Sequence, residues 1–177
     1  IDPRLHSCAF DKEGNIWIGS APSGMVQKYA HDGKLLLQVG KKGVYETSDG
    51  TEKGRPLNSD AAVFTQPSSI WIDPGAGDVY VSDGEGPRGN RRIVVMDKSG
   101  KFLRQWMPDA TSIHCMGVAR DGLFYLCDRP GGRILVYEKT GKFKKSLNVP
   151  WTPYTPSTDG KAKESGGSVV SLDFSHD

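Results

Sequence analysis

Two histidines of this chain hold matching places in a repeated pattern, His6 in Leu5-His6-Ser7-Cys8 and His114 in Ile113-His114-Cys115-Met116. Imidazole is a common transition-metal donor and a general acid or base near neutral pH. The pair lies 108 residues apart, so no local motif joins them. Only an architecture that gathers distant strand starts would let them share a metal or a small polar ligand. Two imidazoles fall short of the three protein ligands usual in catalytic zinc sites. A third donor would come from polypeptide beyond this chain, from Cys8 or from a carboxylate. At period two Cys8 shares a strand face with His6, whereas Cys115 points away from the side of His114. His31 and His176 fall in turns and are not read as ligands.

The elements that must position these residues are visible as an internal repeat. Three copies of one pattern read Gly14-Asn15-Ile16-Trp17-Ile18-Gly19-Ser20, Gly77-Asp78-Val79-Tyr80-Val81-Ser82-Asp83 and Gly122-Leu123-Phe124-Tyr125-Leu126-Cys127-Asp128. Each precedes a second β segment beginning at Met25, Arg92 or Arg133, then a glycine turn, then Lys34-Leu35, Lys101-Phe102 or Lys142-Phe143. From Gly100 to Gly141 the step is 41 residues, the length of a four-stranded propeller blade. The pattern predicts an all-β propeller with no helical period. Predicted strands are 6–10, 16–20, 25–30 and 35–39 in blade one, and 69–73, 79–83, 92–96 and 102–106 in blade two. Blade three takes 115–119, 123–127, 133–138 and 143–147. Gly100 and Gly141 are expected to supply the positive φ of short hairpin turns.

As units, blade one covers about 5–39, an insertion 40–67, blade two 68–106, blade three 112–149 and a connection 150–167. Residues 168–177 are expected to begin a fourth blade, with its inner strand at 169–174. Propellers close with four to eight blades, usually about six, so further polypeptide is expected to complete the ring. In such a ring the inner strands surround one channel, and His6 and His114 would converge there.

Composition narrows the function classes. The 23 Lys and Arg against 21 Asp and Glu leave a net charge of +2, so nucleic acid is not the expected partner. Two basic groups, Arg88/Arg91/Arg92 and Lys142/Lys144/Lys145, read as solvated loops. No stretch is long and apolar enough for a membrane-spanning helix. Cys8, Cys115 and Cys127 form an odd set without a disulfide framework and are read as small buried core residues. Trp151 and Tyr154, among prolines of the 150–167 connection, would line a recognition surface or pack on a blade. Gly84-Glu85-Gly86-Pro87-Arg88-Gly89 fits a dinucleotide-binding glycine pattern in letters, but no helix follows it. Asp11-Lys12-Glu13-Gly14-Asn15 is too short for a calcium loop.

One stretch carries a family resemblance. It comprises Phe64-Thr65-Gln66-Pro67, the segment Asp73-Pro74-Gly75-Ala76-Gly77-Asp78-Val79-Tyr80-Val81-Ser82-Asp83-Gly84, Arg92-Ile93-Val94 and Ser99-Gly100-Lys101-Phe102-Leu103-Arg104-Gln105-Trp106. With Leu5-His6-Ser7, Cys127-Asp128-Arg129 and Gly132-Arg133-Ile134, it resembles NHL-repeat propellers. More narrowly it is similar to the lyase domain of peptidylglycine α-amidating enzymes and to bacterial NHL proteins related to it. That resemblance implies zinc near the axis at His6 and His114, with calcium as a further metal expectation. It implies that Arg129 holds a substrate carboxylate, a role suited to a planar guanidinium. The family's catalytic tyrosine follows the Asp-Gly of blade two. Here Glu85 stands in its place, a base only if burial raises its pKa. The expected function is a binding module for a metal, small molecule or peptide at the channel, or else a zinc-dependent C–N lyase for an α-hydroxyglycine-type substrate. The resemblance also implies an extracytoplasmic or secreted protein.

Overall fold

The computed structural model describes residues 5–44, 62–85, 90–150 and 169–175. Short runs of β-branched and aromatic residues between Gly/Asp turns form twelve strands, as the repeat predicts. Blade one comprises β1 (Ser7–Phe10), β2 (Ile16–Ser20), β3 (Met25–Tyr29) and β4 (Leu35–Val39). Blade two comprises β5 (Pro67–Ile72), β6 (Val79–Asp83), β7 (Arg92–Met96) and β8 (Phe102–Trp106). Blade three comprises β9 (Ile113–Val118), β10 (Phe124–Asp128), β11 (Arg133–Tyr137) and β12 (Phe143–Asn148). Each blade is an antiparallel four-stranded meander in chain order. A single 3₁₀ turn, Ala21–Ser23, is the one helical element among the described residues. None of their helices is long and apolar enough to cross a membrane. Gly100 and Gly141 take φ of 83° and 92° in their hairpins, a backbone that glycine adopts without strain.

Blade two shows how the sheets stack. β6 and β7 are buried along their whole length, which requires a neighbour on each face. Val79, Val81, Val94 and Met96 point towards blade one and pack with Trp17, Val26, Val39 and Ile70. The alternate residues Tyr80, Ile93 and Val95 point the other way, onto Met116, Phe124, Leu126 and Leu135 of blade three. Period two thus divides one sheet between two cores. Each Val or Ile fully buried in these seams contributes about 1.5–3 kcal/mol of transfer free energy. The second seam is aromatic, with Trp71 edge-on to Tyr80 and Phe124, both at centroid distances of 5.2 Å. Lys139 of blade three bonds Asp73 across that seam and lies over the Trp71 ring. Inner strands β1, β5 and β9 stand in sequence, each beside the next.

Several expectations change. The predicted inner strand at 169–174 is not a strand, although residues 169–175 lie beside β9, where Phe174 packs edge-on to Tyr125. No ladder partner holds it among the described residues, so it runs alongside without sheet hydrogen bonds. The cysteines differ as well: Cys115 and Cys127 face each other in the β9–β10 ladder and form a disulfide, with Cα atoms 5.0 Å apart. Cys8 is exposed rather than buried. Arg92 is no solvated loop residue, being 1% exposed and paired with Asp83. Residues 45–61 and 151–168, with Trp151 and Tyr154, lie outside the described residues, as do Arg88 and His176.

Candidate metal and ligand site

The strand ends of the blades carry a device that the repeat reading did not include. Asp83 closes β6 with no exposed surface, and its Oδ1 accepts the backbone N–H groups of Thr65 and Gln66 at 2.8 Å each. Its Oδ2 accepts from the Asn90 side chain and from Arg92 Nε. Asp128 closes β10 in the same way, accepting from Thr111 N, Ser112 N and Arg133 Nε. Each aspartate therefore clamps the chain entering its blade to the arginine that opens the third strand. Charge-assisted bonds of this kind are short and strong, and Asp128 holds the Arg133 guanidinium above its ordinary pKa. The signal lay in the sequence as an Asp that ends the second strand and an Arg that opens the third, at unequal spacings of nine and five residues, which only the buried geometry gives meaning. Blade one lacks it; Ser20 stands there instead, bonded to Ser23.

These clamps place the residues that follow them. Glu85 comes two residues after Asp83, and Arg129 directly after Asp128. A side-chain Cβ on the intervening Gly84 would meet the Arg91 backbone at 2.6 Å, so close approach there admits only glycine. The Arg129 N–H donates to Ser112 O at 3.2 Å, fixing its backbone to the chain ahead of β9.

The two histidines arrive through the inner strands. The β9–β10 register shifts between Cys127 and Asp128, pairing Cys115 and Ile113 and passing over His114. His114 is thus the extra residue of a β-bulge, a device that re-aims a side chain at a sheet rim. Blade two has the same shift, passing over Ser68. Alternation along a regular strand does not anticipate this, so the sequence reading missed the bulge. His6 precedes β1 and is tied by its N–H to Gly19 O at 3.0 Å.

The four predicted site residues come together. The His6 and His114 rings lie 5.8 Å apart between centroids, nearly perpendicular at 77°. His6 Nε2 is 2.9 Å from Glu85 Oε2, and His114 Nε2 is 3.5 Å from Glu85 Oε1. One donor atom from each of the three residues falls within 4.8 Å of the others. Arg129 Nη1 stands 3.6 Å from Glu85 Oε1, beyond hydrogen-bond reach, and its buried Nε has no partner among the described residues. His114 Nδ1 lies 2.7 Å from Val170 O. A carbonyl only accepts, so Nδ1 carries the proton and Nε2 faces the glutamate. Cys8 and His31 are not in the cluster. The Asp11 carboxylate, in the turn resembling a calcium loop, is taken up by Asn15, Trp17 and Lys28.

No family model matches the chain. Peptidyl-glycine alpha-amidating monooxygenase B of Xenopus laevis is 28% identical over 156 residues, covering 80% of this chain and 16% of that protein. Human NHL repeat-containing protein 3 is 29% identical over 167 residues, covering 84% of this chain and 44% of that protein. The chain therefore spans less than half the length of these relatives. Among solved structures, a streptogramin B lyase superposes with a TM-score of 0.58 at 14% identity, covering 85% of this chain and 43% of that one. Hydrazine synthase from Kuenenia stuttgartiensis also gives 0.58, at 12% identity, with 81% of this chain and 36% of that one covered. At such identities these two likenesses speak for the fold alone. By fold the chain is a stretch of β-propeller, and in sequence it is similar to an NHL repeat-containing protein and to peptidylglycine-amidating enzymes.

Proposed function

We propose that this propeller is a binding module whose axial site takes a metal ion together with a small carboxylate-bearing ligand. The observation that carries the reading is the approach of His6 and His114, from alternate blades, to one carboxylate. Because His114 Nδ1 is engaged by Val170 O, its Nε2 lone pair would oppose the Glu85 oxygens unless a cation or a proton intervenes. Two imidazoles beside a carboxylate form a donor set suited to zinc, whereas calcium seeks six to eight oxygens. Arg129 would hold the carboxylate of the ligand, since its guanidinium stands at the rim with donors to spare. Metal analysis of the full-length protein tests this: about one zinc per chain is expected, lost in His114→Ala. Metal-free protein after gentle preparation would discard it.

A second reading is cleavage of an α-hydroxyglycine-type substrate, favoured by Arg129 standing 3.6 Å from Glu85 of the cluster and by the amidating relatives. In that reaction the hydroxyl proton leaves and the C–N bond breaks with its electron pair on nitrogen. Nitrogen gains a proton, giving a primary amide and glyoxylate. A bound zinc would supply polarisation of the substrate oxygens. Glyoxylate release that disappears in His114→Ala supports this reading; bound metal without turnover leaves the binding module. The Cys115–Cys127 bond favours an oxidising, extracytoplasmic compartment.

A further inference from the structure

We infer that Glu85 is itself a metal ligand, completing a His6–Glu85–His114 set within these three blades, and is not a general base. The inference rests on the metal reading above. In a tetrahedral zinc site with bonds of about 2.0–2.2 Å, neighbouring donor atoms stand roughly 3.3–3.6 Å apart. His114 Nε2 stands 3.5 Å from one Glu85 oxygen, within that span, and His6 Nε2 stands 2.9 Å from the other, slightly inside it. Each carboxylate oxygen is turned towards a different imidazole, as donors that share one cation would be. Arg129, at 3.6 Å, leaves that carboxylate unsaturated. Two supports hold the donors in place: the Val170 carbonyl orients the His114 ring, and the Gly84–Arg91 contact fixes where residue 85 emerges. A glutamate whose negative charge is taken up by a metal ion is a weak base for a substrate hydroxyl, so the C–N lyase reading would need its base from elsewhere.

The test is zinc binding to metal-stripped full-length protein, comparing wild type with Glu85→Gln, followed by the visible spectrum of the cobalt(II)-loaded forms. Glu85→Gln keeps the side-chain shape and removes the charge at a partly exposed position, and its thermal melt shows whether folding is retained. We expect zinc affinity to fall at least about 100-fold, more than loss of an outer-sphere partner causes, and the cobalt spectrum to change. Affinity within about threefold of wild type, with an unchanged spectrum and melt, overturns the Glu85 assignment while leaving the metal site standing. A wild type that takes up no zinc overturns the metal reading and this inference with it.

Discussion

At the position opening each inner strand, blades one and three carry imidazoles, His6 and His114, whereas blade two carries Ser68. The serine is buried and turned sideways, with its hydroxyl 2.7 Å from Ile113 O of blade three and 2.8 Å from Ser82 Oγ. Blade two thus spends this position on joining its neighbour, and instead sends Glu85 to the site from the far end of β6. The blades flanking it do the reverse, keeping that position open and leaving the adjoining ladder to other contacts. At the next ladder position blade one pairs Ser7 with Gly19, blade two pairs Ser69 with Ser82, and blade three pairs Cys115 with Cys127. A shared backbone frame therefore carries different chemistry in each copy, and the frame and the chemistry can be perturbed separately.

The sharpest way to break the comparison is through the aspartate clamps. Asp83→Ala strands four donors, including the buried Arg92, and is expected to cost about 3–5 kcal/mol of stability. Asp128→Ala strands fewer, and Arg133 is 29% exposed and can turn to water, so roughly 2–3 kcal/mol is expected. Denaturant unfolding of the full-length protein decides the order; equal costs would show that the clamps do not differ. Removing the disulfide with Cys115→Ser and Cys127→Ser together should lower stability by roughly 3 kcal/mol, given the 12-residue separation. A parallel loss of zinc affinity would show that this cross-strand link also steadies His114.

The smallest expected effect belongs to blade one. Burial pushes the Asp11 carboxyl up, but hydrogen bonds from Lys28, Asn15 and Trp17 outweigh it and hold its pKa at about 2, against an ordinary 3.8. A folded pKa depressed in this way gives stability that is present above about pH 4 and lost as pH falls through about 2. The amount is about 2 kcal/mol. Acid unfolding of Asp11→Ala should lack that part of the slope; an unchanged slope would show that the turn holds without the carboxylate.

The repeat made the fold readable from sequence, because β-branched runs, glycine turns and a fixed step all point to the same blades. His6 and His114 were readable for the same reason, since equivalent positions in a ring converge. The bulge at His114 was not readable, because a one-residue register shift leaves no trace in an alternating pattern. The disulfide does not depend on that shift: Cys115 and Cys127 stand opposite each other in the regular register that runs from the Phe124–Val118 pair. An odd cysteine count hid it. The buried Asp83–Arg92 pair was masked by its charge, which suggests a solvated loop until its donors and acceptors are counted.

Gly84 lies against the Arg91 backbone, and that contact sets the address of the next residue whatever its side chain. The family resemblance puts a tyrosine at this address and this chain puts a glutamate there. Such a socket lets phenol and carboxylate be exchanged without moving the surrounding strands. A change at residue 85 alone would thereby alter the group presented to His6 and His114 while leaving the frame as it is.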